Sequence, residues 1–253
     1  KFEFRMLGAS ASIADPNIVL NTAVAEVLKE FADELEGAVD FNSVLHELIR
    51  KTVREHKRIL FNGNGYDGSW TLEAEKRGLS NLRTTPDALS HYLDEKNIKL
   101  FTGNKVFSES ELRARYAIHL ERYAKVLNIE AKTMVDMVRG AMLPAAAKYI
   151  RELSETGLAA SSFSGNTSLS FEHETVTSLK ELSEEAYSLL KNLEKANCEA
   201  RGIACAKTRA EAYRDKVLPL MNSLRDAVDA IETLLPTSFM PYPTYGKILF
   251  GVK

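Results

Sequence analysis

The sequence has 253 residues, of which 45% are hydrophobic and 27% are charged, and its formal net charge is −2. This composition is typical of a globular protein with a sizeable core, built as one large domain or as one domain with a smaller piece. The charge balance predicts neither nucleic acid nor a membrane as a partner, and no apolar run approaches the roughly 20 residues that cross a bilayer.

The first five residues, KFEFR, alternate aromatic and charged side chains with the period of a half-buried β-strand. Phe2 and Phe4 would face a core, and Glu3 and Arg5 would project together from the opposite face. A carboxylate beside a guanidinium suits a metal-phosphate site, because the carboxylate binds a hard cation and the arginine fork holds a phosphate. A surface charge pattern is the commoner origin of such spacing, and the spacing alone leaves both explanations open.

Two helices should follow this strand. Asp15 and Pro16 predict a helix start, with Asp15 as the N-cap, and Gly37 predicts its end. A second amphipathic pattern predicts a helix from Asp40 to about His56.

The segment RILFNGNGYDGSW interrupts the helical pattern and should contain a short extended piece and a turn. Its residues 62–65, Asn-Gly-Asn-Gly, resemble a phosphate-cradling turn, but they match neither the P-loop nor the dinucleotide fingerprint. A tight turn is the commoner explanation. If the turn does bind a nucleotide, Gly63→Val should abolish ATP binding.

Ser108 and Glu111 form a capping-box pattern, which predicts the start of the clearest helix in the chain. We expect Asn128 to interrupt this helix and Pro144 to kink the next one. The small polar residues from Leu158 to Ser170 predict a loop or hinge.

Two long amphipathic stretches between about residues 175 and 235 predict an antiparallel helical hairpin that turns near Gly202. Beyond Pro236 the tail should lie extended along a surface, where Tyr242 and Tyr245 could dock or stack on a ligand. The two cysteines, Cys198 and Cys205, are too few for a disulfide framework. We therefore expect reduced thiols and a cytoplasmic protein.

Several motifs, in this order along the chain, resemble the glutamine synthetase family. The opening KFEFRMLGASASIADPNIVLNTAVAEVL resembles the end of that family's catalytic domain, where a strand carrying Glu-x-Arg precedes a helix that starts with Asn/Asp-Pro. Its C-terminal segment is similar to TTPDALSHYLDEKNIKLF and KVFSESELRARYAIHLERYA. The type III branch in particular is similar to RILFNGNGYDGSWTLEAEKRGLSNLRTTPDAL, NIEAKTMVDM and MPYPTYGKILF.

The resemblance implies a mostly α-helical fold: a helical bundle with long antiparallel helices, preceded by one terminal β-strand of a truncated α+β catalytic domain. Residues 1–37 would be the C-terminal end of that catalytic domain. Residues 38–253 would be a helical C-terminal region with the hairpin at about 175–235 and the extended tail. The other strands of the active-site barrel would precede Lys1.

The resemblance also implies an activity, the ATP-dependent ligation of glutamate and ammonia through γ-glutamyl phosphate. Glu3 would be a ligand of Mg²⁺ or Mn²⁺, and Arg5 would be a catalytic residue that binds the transferred phosphate or the glutamate substrate. The nucleotide and ammonia sites should precede Lys1. Asp15 stands where many members of the family have Asn, and either residue can cap a helix.

The expected partners are therefore glutamate, ammonia and ATP, together with further copies of the chain in a ring-shaped homo-oligomer that the helical region stabilises. The fragment alone should be inactive, because one carboxylate cannot hold a metal ion. The alternative is a stand-alone helical protein-interaction module without catalytic activity. A start codon at Lys1 would favour the module, whereas an upstream reading frame with barrel motifs would favour the enzyme.

Overall fold

The computed structural model describes residues 11–163 and 168–251. These residues are mostly helical and contain no β-strand, which fits the predicted helical bundle. The strand predicted at residues 1–5 lies outside the described residues. The chain divides into two compact units, Lys1–Tyr116 and Ala117–Lys253. The boundary expected between residues 37 and 38, which concerns a catalytic domain, stays a prediction.

The first unit consists of short and medium helices. The first of them, α1, packs against α2 and α5. The bounds are α1 (Ala14–Leu35), α2 (Phe41–Glu55), α3 (Gly68–Lys76), α4 (Thr85–Ser90), α5 (Glu95–Gly103) and the start of α6 (Glu109–Met137), with a 3₁₀ turn at Lys57–Ile59.

The start of α1 differs from the prediction. The helix begins at Ala14, whose N–H donates to the Ser12 hydroxyl oxygen at 3.2 Å, so Asp15 is not the N-cap but lies in the first turn. Pro16 is tolerated there because the first four N–H groups of a helix have no partner within the helix.

Most of the apolar face of α1 is uncovered by the described residues. This helix of 22 residues buries only Thr22, while Val24 is 53% exposed and Leu28 is 59% exposed. Helix α2 is similar, since it buries Leu48 and leaves Ile49 exposed. The predicted periodicity is present in these helices, but the described part of the first unit does not cover the apolar faces that it produces.

The capping box at the start of α6 is confirmed. The backbone N–H of Ser108 donates to Glu111 Oε2 at 2.7 Å, and the N–H of Glu111 donates to Ser108 Oγ at 3.3 Å. The helix then continues to Met137 without a break, so the interruption predicted at Asn128 is wrong. Asn128 Oδ1 accepts a 3.2 Å hydrogen bond from Asn197 Nδ2, and its side chain therefore does not compete for the helix backbone.

The second unit is a bundle of long helices. The rest of α6 is followed by a π-helical segment (Val138–Met142), α7 (Leu143–Phe163), α8 (Ser170–Arg201), α9 (Ala206–Ala212), a second π-helical segment (Tyr213–Val217), α10 (Leu218–Leu234) and α11 (Tyr245–Phe250).

The chain reverses after α8, so α9, the second π-helical segment and α10 run back along α8, and α7 also packs against it. This arrangement is the antiparallel hairpin of the prediction. The core between these helices is aliphatic, and its fully buried side chains include Leu179, Leu190, Leu193, Leu224 and Ile231. Cys198 and Cys205, near the turn, are both free and exposed.

Pro144 changes the helix differently from the simple kink that we expected. It follows the π-helical segment Val138–Met142, in which the N–H of Leu143 bonds to the carbonyl of Val138. A proline cannot donate to the carbonyl four residues before it, and its ring clashes with that carbonyl. The wider π turn at Gly140 relieves this conflict.

Two predicted irregular segments are partly helical. Helix α7 continues through Phe163, and Ser162 Oγ donates to the carbonyl of Leu158 at 2.9 Å, so the predicted loop from Leu158 to Ser170 is too long. Ala159 and Ala160 favour this extension because alanine has the highest helix propensity. The tail is not extended throughout either, because Thr244 caps α11 by accepting from the N–H of Lys247.

The buried leucines of α8 should carry much of the stability of the second unit. Leu190→Ala should lower the free energy of unfolding by about 2–5 kcal/mol, because it leaves a cavity in a close-packed core. Leu158→Ala is the matched control, since Leu158 is 71% exposed on α7 and its truncation should have little effect. Urea unfolding followed by circular dichroism measures both, and equal losses in the two variants would contradict the packing described here.

The capping box should also be visible in a titration. The hydrogen bonds from the backbone N–H and then the hydroxyl of Ser108 hold the pKa of Glu111 below its ordinary value. The box therefore stabilises the fold above the unfolded-state pKa and loses this effect as the pH falls through the folded-state pKa. Carboxyl ¹³C NMR should show the pKa of Glu111 rising partway to its ordinary value in Ser108→Ala, and an unchanged pKa would argue against the box.

Candidate functional site

The two side chains with the strongest predicted role, Glu3 and Arg5, lie outside the described residues. Their common projection from a strand therefore stays a prediction. Within residues 11–163 and 168–251, no group of three or more His, Cys, Asp or Glu side chains is arranged to hold a metal ion.

No helix among the described residues is long and apolar enough to cross a membrane.

The Asn62–Gly65 turn uses its polar groups locally. Asn64 Oδ1 accepts a hydrogen bond from the N–H of Tyr66 at 3.0 Å, and Asp67 accepts from the N–H of Ser69 at the start of α3. These are the contacts of a turn that leads into a helix cap. They favour the tight-turn interpretation over a phosphate cradle.

An aromatic and cationic cluster lies beside this turn. The rings of Phe61 and Trp70 stack with centroids 4.1 Å apart, and the Arg77 guanidinium lies 6.0 Å and 5.7 Å from the two centroids. Arg77 also pairs with Glu73 and donates to the carbonyl of Leu60 at 2.9 Å. The cluster closes the turn against α3, so these side chains have structural partners.

Gly63 is held close to this cluster. A Cβ atom added there would lie 2.5 Å from the Phe61 ring. Gly63→Val would therefore disturb the stacking of Phe61 on Trp70 whether or not the turn binds a nucleotide. Loss of ATP binding in that variant would not identify a nucleotide site, and binding by the unaltered chain is the informative measurement.

The second unit contains an apolar pocket of about 360 Å³ that the sequence analysis did not predict. Its wall includes several methionines and the tail residue Tyr242, with Arg225 among its charged residues. The Tyr242 hydroxyl donates to the carbonyl of Met137 at 3.4 Å, so this tyrosine docks on the protein's own surface. Tyr245 is exposed. Three of these methionines lie on α6 and the first π-helical segment, with the spacing of an ordinary core stripe, and the fourth lies far away in the chain on α10.

An ion pair joins the first π-helical segment to α8. Arg139 pairs with Glu194 at 2.5 Å, and the hydrogen bond from Arg139 holds the pKa of Glu194 below its ordinary value. Both side chains are more than one third exposed, so the pair contributes little to stability. It lies beside a depression of about 270 Å³ that also includes Asn197 and Arg201.

Comparison with known proteins shows which family this chain is similar to. The pattern described as "Glutamine synthetase C-terminal domain" matches residues 44–161. The type-3 glutamine synthetase of Dictyostelium discoideum is 34% identical over 99% of this chain and 35% of its own length. The glutamine synthetase of Bacteroides fragilis is 31% identical over 99% of this chain and 35% of its length, and that of Butyrivibrio fibrisolvens is 36% identical over 82% and 30%.

The chain spans about a third of the length of these curated relatives. The matches extend over nearly the whole chain, and they include a type-3 enzyme, as the motifs in its sequence predicted. The chain belongs to the glutamine synthetase family.

Proposed function

We propose that this chain is the C-terminal part of an ATP-dependent glutamate–ammonia ligase that makes glutamine. The observation that supports this most strongly is the similarity to glutamine synthetases over 99% of the chain, with the Glu-x-Arg opening included in the motifs. In the proposed reaction, ATP phosphorylates the γ-carboxylate of glutamate. Ammonia then attacks the γ-glutamyl carbonyl and displaces phosphate.

In this proposal Glu3 and Arg5 act at the phosphoryl-transfer site. The Glu3 carboxylate would be one oxygen ligand of Mg²⁺ or Mn²⁺, and the bound ion would supply positive charge against the phosphate oxygens. The Arg5 fork would hold the transferred phosphate or the substrate carboxylate and stabilise the negative charge that develops there. None of the residues that the structure describes is assigned to the reaction.

The isolated chain should be inactive. The described residues offer no group of three metal ligands, and the nucleotide and ammonia sites belong, in this proposal, to polypeptide that precedes Lys1. The exposed apolar side chains of α1 agree with this, because faces of this kind are normally covered in the complete protein. The free, exposed cysteines support a reducing, cytoplasmic setting for the full enzyme.

The helical second unit would act as a scaffold in a ring-shaped homo-oligomer. The observation behind this part of the proposal is that two large aromatic side chains of α8 are not covered by the described residues: Phe171 is 62% exposed and Tyr187 is 49% exposed. Deleting residues 175–235 would test this poorly, because the deletion removes buried core residues such as Leu190 and Leu224. Surface substitutions leave that core intact.

The metal role of Glu3 can be tested in the full-length enzyme. Glu3→Ala should lower the metal-dependent γ-glutamyl transfer rate by on the order of a hundredfold or more, because the ion loses a direct ligand. Glu30→Ala is the control, since Glu30 is exposed on α1 and should leave the rate unchanged. Unchanged activity of Glu3→Ala at the same metal concentration would remove the assigned role. It would also favour the alternative of a stand-alone helical interaction module.

The scaffold role can be tested by light scattering on the full-length protein. The double substitution Phe171→Glu and Tyr187→Glu should reduce the oligomer to smaller species, because it places a charge at each of the two proposed contact positions, where water would be excluded. Lys180→Glu, an exposed change on the same helix, is the matched control. A double variant with the parent mass and normal circular dichroism would show that neither side chain holds the subunits together.

A further inference from the structure

A polar pocket in the second unit has no role in the proposed reaction. It lies where the end of α8, helix α9 and the second π-helical segment meet the middle of α6, and its volume is about 320 Å³. We call it the Tyr213 pocket. The residues that matter for the argument are Glu121, Lys125, Asn128, Arg201, Arg209 and Tyr213.

The Tyr213 hydroxyl has no hydrogen-bond partner among the residues that the structure describes. The side chain is 99% buried, since only 1% of its surface is exposed, and its oxygen is among the few buried polar atoms left unpaired in the described residues. Burial raises the pKa of Tyr213, so the hydroxyl stays protonated and can donate. An unpaired buried donor costs free energy and calls for an explanation such as a bound ligand.

The charges around this hydroxyl are mostly positive. Arg201 and Arg209 lie close enough for each to lower the pKa of Tyr213 against the effect of burial. Arg209 donates to the carbonyl of Ile203 at 3.3 Å and lies 3.9 Å from Glu121.

Two of the cations are uncommitted. Neither Arg201 nor Lys125 has a hydrogen-bond or ion-pair partner within the part of the chain that the structure describes. Among the described residues of the pocket wall Glu121 is the single carboxylate, so three cations face one anion there. A pocket of this size and charge fits a ligand with two negative charges.

The backbone under Tyr213 is also unusual. Tyr213 begins the π-helical segment Tyr213–Val217, and π turns inside helices occur frequently at functional sites. The turn advances the following residues around the helix axis and is compatible with Pro219.

We propose that the Tyr213 pocket binds a small dianion through the Tyr213 hydroxyl and the guanidinium groups of Arg201 and Arg209. The ligand is a phosphate group or a small dicarboxylate, because both present paired oxygens to an arginine fork. Asn128 adds an amide at the wall, although its Oδ1 already accepts from Asn197. The pocket lies wholly in the second unit and does not include Glu3 or Arg5.

Isothermal titration of the 253-residue chain with inorganic phosphate and with succinate tests this directly, with sodium chloride at equal ionic strength as the blank. One of the two should bind saturably at one site. Preference for phosphate would identify a phosphate ester as the ligand type, and preference for succinate would identify a dicarboxylate. If neither binds above the blank, the proposal is wrong.

Variants locate the site. Tyr213→Phe keeps the ring and removes only an unpaired hydroxyl, so the fold should be retained while the affinity falls by about tenfold or more. Arg201→Gln should have a similar effect. Arg151→Gln, which changes an exposed arginine paired with Glu155 on α7, should bind like the unaltered chain.

The same titration in the full-length enzyme separates this pocket from the proposed active site. Tyr213→Phe should lose one binding event there and retain the metal-dependent γ-glutamyl transfer rate measured without the dianion. Glu3→Ala should lose that rate and keep the binding event. Identical isotherms for Tyr213→Phe and the parent would overturn the pocket and leave the ligase proposal intact.

Discussion

The burial of α8 between α7 and α10 is the interaction on which the second unit depends. Leucine side chains fill the centre of the contact. Buried alanines such as Ala186 on α8 and Ala146 on α7 have small side chains, so the helices can approach closely. This packing fixes where α8 ends and therefore where Arg201 lies. It also brings Asn197 to Asn128 and Glu194 to Arg139. The polar features of the unit are consequences of its aliphatic core.

The elements that could be predicted from the sequence are those decided by local chemistry. The capping box at Ser108 and Glu111 satisfies its own backbone donors, so four residues are sufficient to place the start of α6. The helical hairpin follows from long amphipathic periodicity on both sides of Gly202. In each case the competing conformations are unfavourable before any distant contact forms.

The failures occur where a distant residue decides the outcome. We expected Asn128 to interrupt its helix, because asparagine has a low helix propensity. Its side chain instead accepts a hydrogen bond from the amide of Asn197 on α8, which lies 69 residues later in the chain. The predicted site has a different basis. Glu3 and Arg5 were assigned by family resemblance, and local spacing alone would have favoured a surface pattern. The Tyr213 pocket could not be predicted in this way, because its wall combines α6 with residues more than 70 positions further on, such as Arg201 and Arg209.

The two π-helical segments link the prolines of the second unit to its pockets. Pro144 and Pro219 each come two residues after a π segment, and in each case the carbonyl four residues before the proline lies inside that segment. Such a carbonyl has lost its normal donor, and the wider turn accommodates it. The first segment supplies Val138 and Met142 to the apolar pocket, and the second supplies Tyr213 to the polar one. Each proline that would weaken a regular helix therefore follows a wider turn, and each of these turns contributes side chains to a pocket.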